Sequence, residues 1–110
     1  MISSEIIKMK FWKRIRDVLT TNKDENTIAY LALLTTNITY RNGRIKEQLV
    51  DQGIGTLLMD KLLVVIQNNQ LLGIQYVLSA LSNLTTQKST CDQVLLHHKM
   101  YSDLIRYFAP

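Results

Sequence analysis

The stretch QYVLSALSNLTTQ, residues 75–87, carries apolar residues at helical spacing and then runs into a polar turn. The segment AYLALLTTNITYR, residues 29–41, has a similar order of residue types 46 positions earlier. Identical residues coincide at this offset, among them Ile28/Ile74, Tyr30/Tyr76, Asn37/Asn83, Thr39/Thr85 and Leu49/Leu95. The offset predicts two copies of one helical unit.

Size and composition favour a packed, helical chain. Of 110 residues 46% are apolar, with one proline and four glycines, which is enough for a core in one small domain or in a piece of a longer array. Leu, Ile, Gln, Lys and Met recur at helical spacing, so we expect an all-α fold. The longest apolar run, LLVVI at 62–66, is far shorter than the roughly 20 residues of a membrane span.

The amino terminus MISSEIIKMKFWKRIR lacks the layout of a secretory signal peptide, so we expect a cytoplasmic or nuclear protein. The single cysteine, Cys91, has no partner for an internal disulfide and agrees with a reducing compartment. The net charge of +4 permits acidic partners but does not by itself indicate nucleic-acid binding.

The first third of the chain predicts two helices. At 100° per residue, one arc of an amphipathic helix over 5–20 collects these apolar residues: Ile7, Phe11, Trp12, Ile15, Val18 and Leu19. Asn22 or Asp24 is available to cap a second helix, whose apolar positions include Ile28, Leu31, Leu34 and Ile38. That helix is expected to end near YRNG, where Asn42 and Gly43 can adopt the left-handed conformation.

The pattern of predicted helices then repeats. We predict a short helix over 44–52 that stops at Gly53, a longer one over 54–67, a break at the two asparagines 68–69, and a third helix over 70–84. The buried stripe expected on that third helix is Leu71, Ile74, Val77, Leu78, Leu81 and Leu84. A further cycle is expected to begin with helices over 90–98 and 100–108.

This order of helices resembles the armadillo repeat. VDQGIGTLL at 50–58 is similar to the turn between the first two helices of that family, and LSALSNLT at 78–85 to the end of its third helix. The resemblance implies a right-handed α-solenoid of about two and a half units: a partial repeat at 5–41, a complete one at 44–86 and a partial one at 88–110. HEAT repeats share the period and the apolar pattern, so the subtype stays open.

The resemblance also implies a concave groove that presents a third-helix asparagine to the backbone of an extended peptide. Candidate groove residues are Asn37, Asn83, Tyr30, Tyr76, Ser79 and Gln75. The importin-type subset has a tryptophan one turn before the asparagine, where this chain has Leu33 and Ser79, which argues against binding of nuclear localisation signals. Alternatively, Asn83 satisfies local backbone groups or joins repeats. A groove role predicts that Asn83 has few partners inside the fold.

A basic face on the first helix offers a different function. Lys10, Lys13, Arg14 and Arg16, with Lys8 nearby, are interleaved with Phe11 and Trp12. Such a helix can dock on acidic lipid or nucleic acid. In the alternative interpretation the charges are only solvated and the two aromatic residues enter the core, because they align with Leu57 and Leu58 of the next unit.

No pattern in the sequence indicates an enzyme. The cluster of Cys91, His97 and His98 lacks the four ligands of a structural zinc and the orienting group of a nucleophilic site. No phosphate loop or dinucleotide motif is present, so no cofactor is expected. We therefore expect a non-enzymatic protein–protein interaction module, such as a scaffold, with docking of the basic helix as the alternative. Self-association through exposed terminal repeat faces is also open.

Overall fold

The computed structural model describes residues 4–22, 24–91 and 93–94. Within this part the chain forms helices and no strand, which confirms the all-α class. The helices are α1 (Ser4–Thr21), α2 (Glu25–Thr39), α3 (Gly43–Asp51), α4 (Ile54–Gln67), α5 (Leu71–Leu84) and α6 (Lys88–Cys91). The bounds of α1 to α5 agree with the sequence prediction to within about one or two residues, the usual uncertainty of a helix end.

Polar side chains start two of the helices. Asp24 accepts a hydrogen bond from the backbone N–H of Thr27 at 3.0 Å, and so caps α2. Asn42 caps α3 in the same way, accepting from the N–H of Ile45 at 3.1 Å. Each cap satisfies a backbone donor that the helix itself leaves unpaired.

Residues in the left-handed region end three helices. Gly53, with a φ of 81°, follows α3 as predicted. After α4, Asn69 has a φ of 55°, and the N–H groups of Asn69 and Gln70 donate to the carbonyls of Ile66 and Val65. This pair of bonds is a Schellman motif.

The end of α2 differs from the prediction, because Arg41 is the residue with a positive φ, at 52°. Asn42 and Gly43 were expected to close this helix. Asn42 instead caps α3 with its side chain, and Gly43 is already the first residue of that helix. The turn is therefore one residue tighter than the sequence indicated.

Helices three apart along the chain lie against each other. α1 contacts α4, α2 contacts α5, and α3 contacts α6. The contact between α2 and α5 is the most extensive one between the helices described here. These two helices run in the same direction, since Asn83 near the carboxyl end of α5 bonds to Thr36 and Thr39 near that of α2.

Small residues let these helices approach closely. Ala29 and Ala32 on α2 and Ala80 on α5 have no exposed surface. A Cβ built on Gly73 would lie 2.9 Å from Cγ1 of Val65, so α5 is seated directly on α4. The buried hydroxyls of Thr35 and Thr39 donate to the carbonyls four residues earlier, which offsets the cost of removing them from water. Their burial is therefore compatible with an otherwise apolar core.

The predicted stripe of α5 was partly wrong. Val77, Leu81 and Leu84 are buried and Ile74 is partly buried, but Leu71 is 78% exposed and Leu78 is 44% exposed. Gly73 and Ala80 take the buried positions instead. The prediction from hydropathy placed large residues in the core, whereas a helix that packs closely on its neighbour needs small residues at the contact.

The apolar arc of α1 was also too wide. Trp12, Ile15 and Leu19 are buried, as expected, and the indole N–H of Trp12 donates to Gln48 at 3.0 Å. Ile7 is 57% exposed and Phe11 is 45% exposed. At 100° per residue Ile7 lies about 120° around the helix from Leu19, outside the contact with the core.

Helix α6, Lys88–Cys91, overlaps the start of the helix that was predicted over 90–98. Val94 is buried and would meet a Cβ placed on Gly55 of α4. The predicted helix over 90–98 lies partly, and the one over 100–108 entirely, outside the described residues.

Candidate functional site

An open groove of about 480 Å³ lies between α2 and α5. We call it the α2–α5 groove. Its lining residues are Thr36 and Tyr40 from the end of α2 and Leu78, Ser79, Ser82 and Asn83 from α5. The spacing explains their convergence, since residues three and four apart share one face of a helix.

Five of the six residues that line this groove carry a hydroxyl or amide group, and none is acidic or basic. Hydroxyl and amide groups can both donate and accept hydrogen bonds. Leu78 and Tyr40 add apolar surface, and the guanidinium carbon of Arg41 lies 5.3 Å from the Tyr40 ring centroid. Such a surface suits a neutral, hydrogen-bonding ligand better than a highly charged one.

Asn83 joins the two helices beneath this groove. Its Nδ2 atom donates to the carbonyl of Thr36 at 3.0 Å and lies 3.4 Å from Oγ1 of Thr39. The expectation that Asn83 has few partners inside the fold was therefore wrong. Its side chain remains partly exposed, and Oδ1 accepts no hydrogen bond from the described residues.

Asn37 occupies the equivalent position on α2 and has a different environment. It is exposed, and its side chain forms no hydrogen bond within the described part of the chain. The difference arises because α5 has α2 beside it, whereas no described helix lies on the corresponding side of α2.

The remaining predicted residues do not converge on one site. Tyr30 is 63% exposed, while Tyr76 is packed against the core. Gln75 is exposed and does not line the groove, and Ser79 does line it. The structure thus brings together Ser79 and Asn83 out of the six.

Sequence reasoning missed Thr36, Tyr40, Leu78 and Ser82. A signal for two of them was present, because Thr36 and Ser82 coincide at the 46-residue offset and both carry a hydroxyl. Leu78 was missed because it was assigned to the core.

A second groove, of about 370 Å³, lies along the amino-terminal half of α1. We call it the α1 groove. Its lining residues are Glu5, Ile6, Met9, Lys10, Lys13 and Gln52. Ile6, Ile7, Met9 and Phe11 are all exposed, so this face of α1 combines apolar side chains with positive charge.

The basic residues of α1 differ in whether they interact with other side chains of the fold. Lys10, Lys13 and Arg14 are exposed, and they form no ion pair with other described residues. Arg16 instead donates to Oε1 of Gln52 at 3.4 Å and lies 3.5 Å from the carboxylate of Asp17. Arg16 is therefore less available to a partner than the other three.

In the part of the chain that the structure describes, no group of three or more His, Cys, Asp or Glu residues is placed to hold a metal ion. Cys91 is partly exposed. His97 and His98 lie outside the described residues. No helix among the described residues has the length and hydropathy needed to cross a membrane.

Comparison with known proteins identified no relative: no family model, no curated protein and no solved structure matches the chain. The groove geometry and the packing of the helices are therefore the observations from which a function can be argued.

Proposed function

We propose that the protein is a non-enzymatic interaction module that holds an extended segment of a partner protein in the α2–α5 groove. The open, uncharged groove that ends at Ser79 and Asn83 is the observation that carries this proposal. We further propose that the helices form an armadillo-like solenoid, in which α2 and α5 are third helices of successive units. Contacts between helices three apart support that arrangement.

The chemistry of the groove favours recognition of a peptide backbone. Oδ1 of Asn83 can accept a hydrogen bond from a peptide N–H, because only the Nδ2 side of its amide is used inside the fold. The exposed hydroxyls of Ser79 and Ser82 can donate to peptide carbonyls. Leu78 and Tyr40 offer contact to one apolar side chain of the ligand.

Selection from a displayed library of random peptides tests this function. Peptides that bind the wild-type chain should lose affinity for Ser82→Arg, which fills the groove with a long charged side chain. Ser89→Arg is the matched control, because Ser89 is exposed on α6 and does not line the groove. Selected peptides that bind both variants equally well would exclude the groove as the binding site.

The exposed apolar residues of α1 favour a second candidate function, docking on an acidic lipid surface. Ile6, Met9 and Phe11 can enter the apolar boundary of a bilayer while Lys10 and Lys13 contact lipid phosphates. Nucleic acid fits this face less well, since binding to phosphates alone gives no reason to expose aliphatic side chains.

Co-sedimentation with vesicles of phosphatidylcholine, with and without phosphatidylserine, tests the lipid function. We expect binding only to the acidic vesicles, with a steep loss between about 50 and 200 mM salt. Lys10→Glu should weaken it, whereas Lys88→Glu on α6 should have little effect. Equal binding to both vesicle types, or tighter binding to an oligonucleotide than to acidic vesicles, would count against the lipid surface.

A further inference from the structure

One stretch of the chain, residues 62–87, contains no acidic residue, no basic residue and no histidine. It includes the end of α4, all of α5 and the turn that follows α5. Charged residues make up 20% of the whole chain, so the charges are concentrated outside this stretch. The centre of a protein–protein interface is depleted in charged residues relative to the rest of the surface. The uncharged surface of α5 is therefore typical of a surface that a partner covers.

A row of exposed side chains runs along this surface, and we call it the α5 stripe. Its members are Leu71, Gln75, Leu78 and Ser82, all of them exposed. Their spacing of four, three and four residues places them on one side of the helix. The stripe shares Leu78 and Ser82 with the α2–α5 groove and continues toward the beginning of α5. At that end Leu71 is 78% exposed, the highest value among the large apolar side chains that the structure describes.

The stripe also offers hydrogen bonds between its two leucines. Gln75 lies between Leu71 and Leu78 in the sequence, and its amide forms no hydrogen bond with the described residues. An amide of this kind both donates and accepts, so it can pair with the backbone of a segment that lies along the stripe. Oδ1 of Asn83 is the corresponding acceptor inside the groove. Apolar and hydrogen-bonding groups therefore alternate along the length of α5.

The distance between the two leucines restricts the conformation of a ligand that contacts both. Leu71 and Leu78 are separated by about 10.5 Å along the helix axis and by about 20° around it. In a β-strand, side chains on one side recur at about 6.7 Å and then at about 13.4 Å. In a polyproline II helix, side chains on one side recur at every third residue, or about 9.3 Å. The polyproline II repeat is the one closest to the separation of the leucines.

We propose that the ligand of the α2–α5 groove is an uncharged segment of a partner protein in the polyproline II conformation, with two apolar side chains three residues apart. These two side chains contact Leu71 and Leu78. The polyproline II backbone has no internal hydrogen bonds, so its polar groups are free to pair with Gln75 and Asn83. A charged ligand side chain would lose water here without gaining an opposite charge from residues 62–87. This inference rests on the proposed function and defines its class of ligand.

Three displayed libraries of uncharged peptides test the spacing. Each library fixes two leucines, separated by one, two or three residues that are drawn from proline, serine, threonine, glutamine and glycine. We expect the full chain to select binders from the library with two intervening residues. For these peptides Leu71→Ser should weaken binding at least about fivefold, because an apolar contact is lost. Val64→Ser is the matched control, since Val64 is an exposed apolar side chain on α4 and lies off the stripe.

Two synthetic versions of one selected peptide test the conformation. Two prolines between the leucines should keep or raise the affinity, because they favour polyproline II before binding. Two glycines should lower the affinity at least about threefold, because a more flexible segment must be ordered on binding. Tighter binding of the glycine version would overturn the assigned conformation. Circular dichroism checks that each variant of the protein retains its helices.

The outcomes also separate this inference from the proposed function. Suppose that binding is lost with Ser82→Arg, but that all three libraries yield binders equally well or that Leu71→Ser and Val64→Ser have equal effects. The inference is then overturned, while the groove remains the binding site. If no library yields a binder, or if binders are unaffected by Ser82→Arg, the groove is excluded and both proposals fail.

Discussion

Helices α2 and α5 are related by the 46-residue offset in the sequence but have different neighbours in the structure. Tyr76 and Asn83 of α5 pack against the fold, while their counterparts Tyr30 and Asn37 of α2 are exposed. Conversely, Ala32 of α2 is covered where Leu78 of α5 is not. A residue type that recurs with the period therefore does not have one fixed role. Its role depends on whether another helix lies on that side.

The two helices also begin differently. Asp24 caps α2 through its carboxylate, which accepts from both the N–H and the hydroxyl of Thr27 at 3.0 Å. Its counterpart at the start of α5, Gln70, forms no side-chain cap. Helix α5 thus begins without a side-chain cap, and its packing against α2 and α4 compensates for the missing cap.

The largest expected effect comes from the core face of α5. Leu81 is 5% exposed, so Leu81→Ala should lower the free energy of unfolding by roughly 2 to 5 kcal/mol. Leu78→Ala, on the same helix, should lower it by no more than about 1 kcal/mol, because that side chain is already half in solvent. Urea unfolding measures both values. Equal losses would show that the assigned faces of α5 are incorrect.

Removal of the N-terminal cap of α2 should give the next largest loss of stability. Asp24→Ala should destabilise the chain by about 1 kcal/mol, within a range of roughly 0.5 to 2, because the N–H of Thr27 loses its acceptor. Gln70→Ala, at the equivalent position of α5, should change stability by less than about 0.5 kcal/mol, since no cap bond is lost. Thermal unfolding of the two variants under identical conditions compares them. Similar losses would contradict the difference between the two starts.

Substitution of the two asparagines should give losses of stability that differ from each other by a similar amount. Asn83→Ala is expected to lower the free energy of unfolding by about 0.5 to 1.5 kcal/mol, because the carbonyl of Thr36 loses its interhelical donor. Asn37→Ala should leave stability in dilute solution nearly unchanged. Chemical denaturation of both variants under identical conditions measures the two losses. A larger loss for Asn37 than for Asn83 would reverse the assignment of the structural link.

The smallest effect is a gain. Gln70→Asp should raise the free energy of unfolding by about 0.5 kcal/mol, because a carboxylate at the start of α5 can accept from an unpaired backbone N–H and interacts favourably with the helix dipole. Gln67→Asp at the carboxyl end of α4 is the matched control and should give no gain. Denaturant titration of both proteins would reveal whether the start of α5 can accept a cap at all.

Helix positions were well predicted from the sequence because they depend on local chemistry. Asp24 and Gly53 mark helix ends as predicted, through hydrogen bonds and dihedral preferences that involve only nearby residues, whereas Asn42 caps α3 and does not close α2. The buried stripe of α1 was predicted in its centre, at Trp12, Ile15 and Leu19. The candidate groove was predicted in part, at Ser79 and Asn83.

The errors concern positions whose burial or hydrogen bonding depends on a neighbouring helix. Hydropathy assigned Leu71 and Leu78 to the core, but both are exposed, and the close contact of α5 with α4 is made at Gly73. The 46-residue offset predicted one role for Asn37 and Asn83, but among the described residues only Asn83 has a partner helix within hydrogen-bonding distance. Distances between helices are not encoded in any single segment, so no local pattern predicts them.

The sequence by itself determined the order and approximate limits of helices α1 to α5, and the 46-residue offset that relates α2 to α5. The tertiary structure decided which face of each helix is covered, which asparagine forms a link and where an open groove remains. The physical reason is that the hydrogen bonds and caps that set the limits of a helix join residues three or four apart, whereas burial requires a second surface from a distant part of the chain. For Asn83 that surface is α2, and for Asn37 no helix of the described chain supplies one.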